Sequence, residues 1–413
     1  MENILRFVRN RTYQLVVSFL VTALSPVHAQ WIQTTKPNAG YIYCFAASGT
    51  NLFVGGDSGV FLSTNSGTSW TAANSGLTNT RVRSLAVAGK NLFAGTKGGG
   101  VFLSTDNGVS WTTVDTGLTS TTVLTFALAD TVLFAGTDRG GVFLSTNNGT
   151  SWASASSGLP NSYSIVLAVS GKNLFAGTWD TGIFLSTNNG TTWNAVNSGL
   201  TNTNDSALAV IGTNIFVGIS GAGVFLSTNN GSSWNPASTG MTNTYLRALV
   251  VFGTNLFAAT DGGGVFLTTN NGTTWVSVST GLTNNFVNAL AVSGTNLFAG
   301  TQVGDVWRRP LAEITESVGG SSTNLPTTLR LDQNYPNPFN PSTNISFNLS
   351  SKSFVSLKLF DALGREVSTL LADELSAGTY LYRWDAGILT SGVYFYRLEA
   401  GKYKETKKLL LLR

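Results

Sequence analysis

The sequence predicts an all-β protein whose main body is a seven-bladed β-propeller, and three observations carry that reading. Trp70, Trp111, Trp152, Trp193, Trp234 and Trp275 fall 41 residues apart without a slip. Each period holds four short apolar runs divided by turns rich in Gly, Asn, Ser and Thr, the pattern of one propeller blade copied in tandem. After Pro310 the period stops and a shorter all-β pattern begins. A unit of this length cannot bury its apolar face alone, so each copy must pack against the next.

Composition agrees. Of 413 residues, 42% are apolar and 11% charged, which suits many short strands and excludes a disordered chain. Between Gln30 and Pro310 there are ten Lys/Arg, nine Asp and no Glu, so the main body is close to neutral. A nucleic-acid binder would gather basic residues there, and none is expected as a partner.

Residues 1–29 read as a secretory signal peptide. Arg6, Arg9 and Arg11 precede an apolar run from Tyr13 to Leu24, and Val27-His28-Ala29 offers small residues at the cleavage site. Gln30, not a cysteine, stands directly after that point, which argues against a lipoprotein anchor. Cleavage before Gln30 removes His28, the only histidine. Cys44, the only cysteine, cannot form an internal disulfide. Placed in the column of Leu85, Phe126, Leu167, Leu208, Leu249 and Leu290, it reads as a core hydrophobe.

Residues 60–100 give one period in order. Val60-Phe61-Leu62-Ser63 is a strand, Thr64 to Ser69 a turn, and Trp70-Thr71-Ala72-Ala73 opens the next strand. Ser75 to Asn79 is a loop, followed by strands at Arg83–Ala88 and Asn91–Gly95 and a turn at Lys97–Gly100. The Leu-Phe strand occurs seven times, at Leu52, Leu92, Leu133, Leu174, Ile215, Leu256 and Leu297. The Trp-led strand occurs seven times only if Trp31 is included. Blade seven must therefore take its fourth strand from residues 30–36, which removes open sheet edges.

The turn Ser63-x-Asn65-x-Gly67-x-Ser69-Trp70 recurs in every period, with Asp106 replacing Asn in the second copy. It resembles the Asp-box of sialidase-type repeats. That resemblance implies a side chain capping backbone N–H groups across a hairpin, Gly in a left-handed turn and Trp packed beneath. The propeller is also similar to photosystem II assembly-factor and sortilin-type propellers, which implies a protein-binding scaffold.

Ser317 to Ser322 reads as a flexible linker, and 311–326 as the boundary segment. From residue 327 to 413 a second domain follows. Asn334-Tyr335-Pro336-Asn337-Pro338-Phe339-Asn340-Pro341 leads into strands around Ile345–Leu349 and Val355–Phe360. Then come Asp361-Ala362-Leu363-Gly364-Arg365, Ser376 to Tyr380, Ser391 to Tyr396 and Lys407-Lys408-Leu409. This run resembles the type A C-terminal sorting domain of the type IX secretion system. The resemblance implies a small immunoglobulin-like β-sandwich, the secretion machinery as a partner, and a Gram-negative host of the Bacteroidetes–Chlorobi kind. It also implies a destination outside the cell or on the outer membrane exterior.

Catalysis finds little footing. Sialidase chemistry needs a Tyr–Glu pair, and the span 30–310 has no Glu. Loss of His28 excludes Ser-His-Asp and Cys-His arrangements. No metal-ligand or phosphate-loop spacing is present, so neither metal nor cofactor is expected. Asp57, Asp138, Asp180 and Asp261, in the turns after the Leu-Phe strands, are the candidates for the rival reading, a secreted glycoside hydrolase using two loop aspartates.

The copies differ most at the mouth of the innermost strand. One column reads Gly40, Arg81, Thr122, Tyr163, Asn204, Tyr245, Phe286. A second reads Ile42, Arg83, Leu124, Ile165, Ser206, Arg247, Asn288, and the turn column Gly56, Lys97, Asp138, Trp179, Ser220, Asp261, Gln302. These variable positions are either free surface or a built site, since flat rings stack on ligands and guanidinium groups pair with carboxylates. Arg81, Arg83, Tyr163, Trp179, Asp180, Tyr245, Arg247 and Phe286 are the candidate ligand-binding residues, for a glycan or protein ligand of a monomeric, non-enzymatic binding protein.

Overall fold

The computed structural model describes residues 30–160, 165–318, 328–375, 378–387 and 389–412. The signal-peptide expectation for 1–29, Tyr163 and most of the Ser317–Ser322 linker lie outside these residues.

Residues 32–310 form seven four-stranded antiparallel sheets. Sheet 2 is typical, with strands Val82–Ala88, Asn91–Thr96, Val101–Ser104 and Thr112–Thr113 in that spatial order. Its second strand is buried from Leu92 to Thr96 because neighbouring sheets cover both faces, hence its unbroken apolar run. The outermost strands span two residues each, shorter than the run from Trp70 to Ala73 suggests, because the chain leaves the ladder at once to reach the next sheet.

The sheets are arranged as a propeller-like ring. Their innermost strands begin at Ile42, Val82, Val123, Ile165, Asp205, Leu246 and Val287, and each touches the next, the last touching the first. Sheet 7 takes its outermost strand from the start of the chain, Ile32 lying opposite Arg308 and Gln33 opposite Trp307. The core lies between sheets. Phe53 and Val60 of sheet 1 pack with Val82, Leu92, Phe102 and Trp111 of sheet 2. Ala289, Phe298 and Val306 of sheet 7 pack with Ile42, Leu52 and Val54 of sheet 1. Each fully buried Phe or Leu contributes about 1.5–3 kcal/mol.

The tryptophans join neighbouring sheets. Trp111, Trp152, Trp193, Trp234 and Trp275 donate from Nε1 to the carbonyls of Ala73, Val114, Ala155, Val196 and Ala237 at 2.6–2.8 Å, each 38 residues back. Trp31 makes the same contact to Val278 at 2.7 Å, and its backbone N–H donates to Thr280. It thus fills the place of a further copy after Trp275. Trp70 is the exception, and its Nε1 has no partner.

In the turn before each Trp, Asn65 Oδ1 accepts from the Ser69 N–H at 2.9 Å and from the Ser63 hydroxyl at 3.0 Å. The Ser63 Oγ accepts the Gly67 N–H at 2.8 Å. Ser66 and Gly67 adopt φ of 54° and 81°, which glycine tolerates at no steric cost. In the second copy three hydrogen bonds from Ser110 and Ser104 hold the Asp106 carboxyl down, near about 2.

Two expectations need correction. The segment after Pro310 is not a linker from its first residue: Leu311–Val318 is a helix whose Leu311 and Ile314 are buried against sheets 6 and 7. The i, i+3 spacing of those two apolar residues creates the face that packs. Cys44 is half-buried, packed against the core between sheets 1 and 2, and its column is wrong. Cys44 pairs with Gly55 as Ser84 pairs with Gly95, so Phe45, not Cys44, matches Leu85. Burial in apolar surroundings pushes the Cys44 thiol up to about 12.

The tail has a three-stranded sheet (Arg330–Leu331, Ser342–Leu349, Gly378–Asp385) and a four-stranded sheet (Glu366–Leu375, Ser353–Phe360, Gly392–Ala400, Tyr403–Leu411). Alternating residues of both, including Ile345, Phe347, Leu357, Leu359, Tyr396 and Leu409, share one core. The Asn334 side chain, buried, donates to Thr343 Oγ1 and the Pro336 carbonyl and so pins the proline-rich lead-in.

Candidate binding face

The slip at Cys44 moves the whole rim of sheet 1. Gly56 pairs with Gly59 around Asp57-Ser58, whereas sheet 2 places Lys97 to Gly100 between its corresponding strands. The shorter turn makes the offset from sheet 1 to sheet 2 one residue less than the tryptophan period. The sheet 1 positions matching Arg81, Arg83 and Lys97 are therefore Tyr41, Tyr43 and Asp57, not Gly40, Ile42 and Gly56. Ile42 is fully buried. Counting from Asn51 and Asn91, which open equivalent strands, would have found these residues.

The turn and the start of the innermost strand meet at one mouth. The N–H groups of Lys97, Asp138, Ser220, Asp261 and Gln302 donate to the carbonyls of Arg81, Thr122, Asn204, Tyr245 and Phe286 at 2.9–3.1 Å. The strand bulges just inside, between Val82 and Ser84 and between Leu246 and Ala248, leaving Arg83 and Arg247 out of register. A bulge of this kind re-aims a side chain.

One cluster spans sheets 7, 1 and 2. Asp57 Oδ1 accepts from Arg81 Nε at 2.9 Å and from the Tyr43 hydroxyl at 3.0 Å, and Oδ2 accepts from the Tyr41 N–H at 3.3 Å. The Arg83 guanidinium lies 4.1 Å above the Tyr43 ring, a cation–π arrangement. Tyr41 and Tyr43 stack at 4.8 Å, and the Tyr41 hydroxyl reaches Asn288 Oδ1 at 3.1 Å. Partial burial and the bond to Asp57 raise the Tyr43 phenol above its ordinary value.

A second cluster spans sheets 6 and 7. Arg247 pairs with Asp261, Gln302 Nε2 donates to Asp261 Oδ1 at 2.9 Å, and Phe286 bridges to Asp261 through the backbone. Tyr245 and Phe286 are 58% and 49% exposed, so two large rings stand in solvent on adjoining sheets. With Tyr41 and Tyr43 of sheet 1 they make an arc across three consecutive sheets, which Arg81 and Arg83 extend to sheet 2. Trp179 is 41% exposed on sheet 4, and neither it nor Asp180 joins the arc. Asp57 and Asp261 are each engaged by an arginine, so neither stands as a free carboxylate. Among the described residues no three His, Cys, Asp or Glu side chains converge as a metal site requires, and no helix is long and apolar enough to cross a membrane.

A family model described as the DUF6242 beta propeller domain matches residues 28–175, and the secretion system C-terminal sorting domain matches residues 333–412. No curated protein matches the chain. Among solved structures, PorZ, a surface component of the type-IX secretion system of Porphyromonas gingivalis, is 16% identical with a TM-score of 0.55. The match covers 91% of this chain and 60% of PorZ, so the chain spans under two thirds of that protein. YCF48 from Cyanidioschyzon merolae is 17% identical, with 68% of this chain and 99% of that one covered and a TM-score of 0.54. A further YCF48 structure, 16% identical over 70% of this chain and 98% of that one, TM-score 0.55, is bound to a D1 peptide. These likenesses bear on fold alone. The chain is thus a β-propeller domain followed by a type IX secretion C-terminal sorting domain, the organisation of a secreted or cell-surface protein.

Proposed function

We propose that this protein is an exported, non-enzymatic binding propeller that recognises a glycan or protein ligand on the rim of sheets 6, 7, 1 and 2. The observation that carries the reading is the arc itself. Exposed Tyr245 and Phe286, the stacked Tyr41–Tyr43 pair and three arginines are held on strand ends that cost little to order on binding. Arg81, Arg83, Tyr245, Arg247 and Phe286 are the contact residues, joined by Tyr41 and Tyr43. Trp179 and Asp180 lie off this arc and are secondary.

The seven sheets are the blades of one closed ring, and the six turns are Asp-boxes that fasten it, a reading supported by the repeated Asn65-type hydrogen bonds. The boundaries are 1–29 for a cleaved signal peptide, 30–310 for the propeller and about 327–413 for the sorting domain. The tail is an immunoglobulin-like sandwich, a reading supported by its three- and four-stranded sheets sharing one core, with the Tyr396 hydroxyl donating to the Asp332 carbonyl and accepting the Asn334 N–H. The domain engages the secretion machinery, and the mature protein acts as a monomer.

The test is a glycan and peptide array probed with the full chain. A ligand whose binding falls at least tenfold in Arg83→Ala and Phe286→Ala, but not in Trp179→Ala, supports the reading. Release of reducing ends from polysaccharides, abolished by Asp138→Ala or Asp180→Ala, would replace it with the glycosidase.

A further inference from the structure

Five of the turns carry an Asn-Gly pair at the tip: Asn107-Gly108, Asn148-Gly149, Asn189-Gly190, Asn230-Gly231 and Asn271-Gly272. Each asparagine is exposed and left-handed, with φ between 53° and 58°. In a flexible chain this dipeptide is chemically weak, because no side chain shields the glycine nitrogen. That nitrogen, once deprotonated, attacks the asparagine Cγ. A new N–Cγ bond forms, the Cγ–Nδ2 bond breaks, ammonia leaves, and water opens the resulting succinimide to aspartate or isoaspartate. Water is consumed, ammonia is released, and each event adds one negative charge.

In all five turns the nucleophile is occupied. The buried glycine N–H donates to Ser104, Ser145, Ser186 and Ser227 Oγ and to Thr268 Oγ1 at 2.7–2.9 Å. The hydroxyl is itself held. It donates its proton to the Oδ1 of Asp106, Asn147, Asn188, Asn229 or Asn270 at 2.7–2.9 Å, which leaves its lone pairs facing the glycine. That Oδ1 is fixed in turn by the backbone N–H of Ser110, Ser151, Thr192, Ser233 or Thr274. Cyclisation would have to break this chain of bonds, expose the glycine nitrogen to base and swing the asparagine out of its left-handed well.

We propose that the hydroxyl–carbonyl pair of each turn is a deamidation lock, and that the five asparagines are latent modification sites that the lock keeps silent. The lock is independent of any ligand. It gives the recurring Ser or Thr a chemical role beyond shaping the hairpin, in a protein that works outside the cell.

The full chain, aged in warm, mildly alkaline buffer, is digested and scored by mass spectrometry for aspartate and isoaspartate at the five positions. Short synthetic peptides spanning the same turns give the unlocked rate. The native chain should convert at least tenfold more slowly than the peptides at every site. Ser186→Ala should raise conversion at Asn189 by about tenfold, the value of one lost hydrogen bond to the reacting group. Asn230 in the same molecule stays slow, and Ser186→Thr stays slow because Thr268 performs the task in the sixth turn. Ser145→Ala, read at Asn148, repeats the test at another site. Conversion in the native chain as fast as in the peptides would overturn the lock. So would a Ser186→Ala chain in which Asn189 is unchanged, or in which all five sites rise together.

Discussion

Replacing Trp193 with Phe should cost far more stability than the same change at Trp70, although both residues occupy the same place in the repeat. Trp193 is 4% exposed, and its Nε1 donates to the Ala155 carbonyl at 2.8 Å. The change strips a buried acceptor of its donor, worth about 1–3 kcal/mol. It also removes the second ring's buried area, worth about 1 kcal/mol. The sum is about 2–4 kcal/mol. At Trp70 the ring area is lost too, but Nε1 is enclosed with no partner, so an unsatisfied donor disappears with it. There the two effects offset, and the net change should lie within about 1 kcal/mol of zero. Urea unfolding of the full chain, followed by far-ultraviolet circular dichroism, measures both midpoints at constant slope. Equal midpoint losses in the two variants would refute the idea that these tryptophans act as hydrogen-bonded staples between sheets.

Other outcomes follow from the same structure. Trp31→Ala should destabilise by about 3–5 kcal/mol and expose the ring to proteolysis near Ile32, because Trp31 is 3% exposed and bonded to Val278 across the closure; susceptibility equal to the native chain would count against closure by the first strand. Asp106 is depressed from 3.8 to about 2, so its contribution is present above its unfolded value and is lost as pH falls through about 2. Asp106→Asn should therefore leave neutral-pH stability nearly unchanged and flatten the acid limb between those two values, read by melting temperature against pH. Cys44, with its thiol pushed up to about 12, should react with a thiol reagent far more slowly in the native chain than after unfolding; equal labelling rates would contradict its packing between sheets 1 and 2. Tyr396→Phe should cost about 1.5–3 kcal/mol in the tail, since it leaves the Asp332 carbonyl and the Asn334 N–H without their partner.

Much of the ring was legible in the chain because its packing rule is local and repeated. A Trp that must donate to a carbonyl 38 residues back can hardly drift in spacing, and so its period survives every copy. Rim positions answer to no such constraint. A single residue missing from the Asp57 turn leaves the core intact while shifting Tyr41 and Tyr43 into the places assigned to Gly40 and Ile42. The helix at Leu311–Val318 was hidden for a related reason: two apolar residues one turn apart are too few to announce a helix until sheet 7 covers them.

The amino-acid sequence by itself determined the 41-residue period and the tip chemistry of each turn, because these depend on residues close together in the chain. Only the tertiary structure decided which side chains share a rim. Arg83 rests on Tyr43, and Arg247 and Gln302 converge on Asp261, because strand register and bulges, not spacing, set where side chains meet across neighbouring sheets.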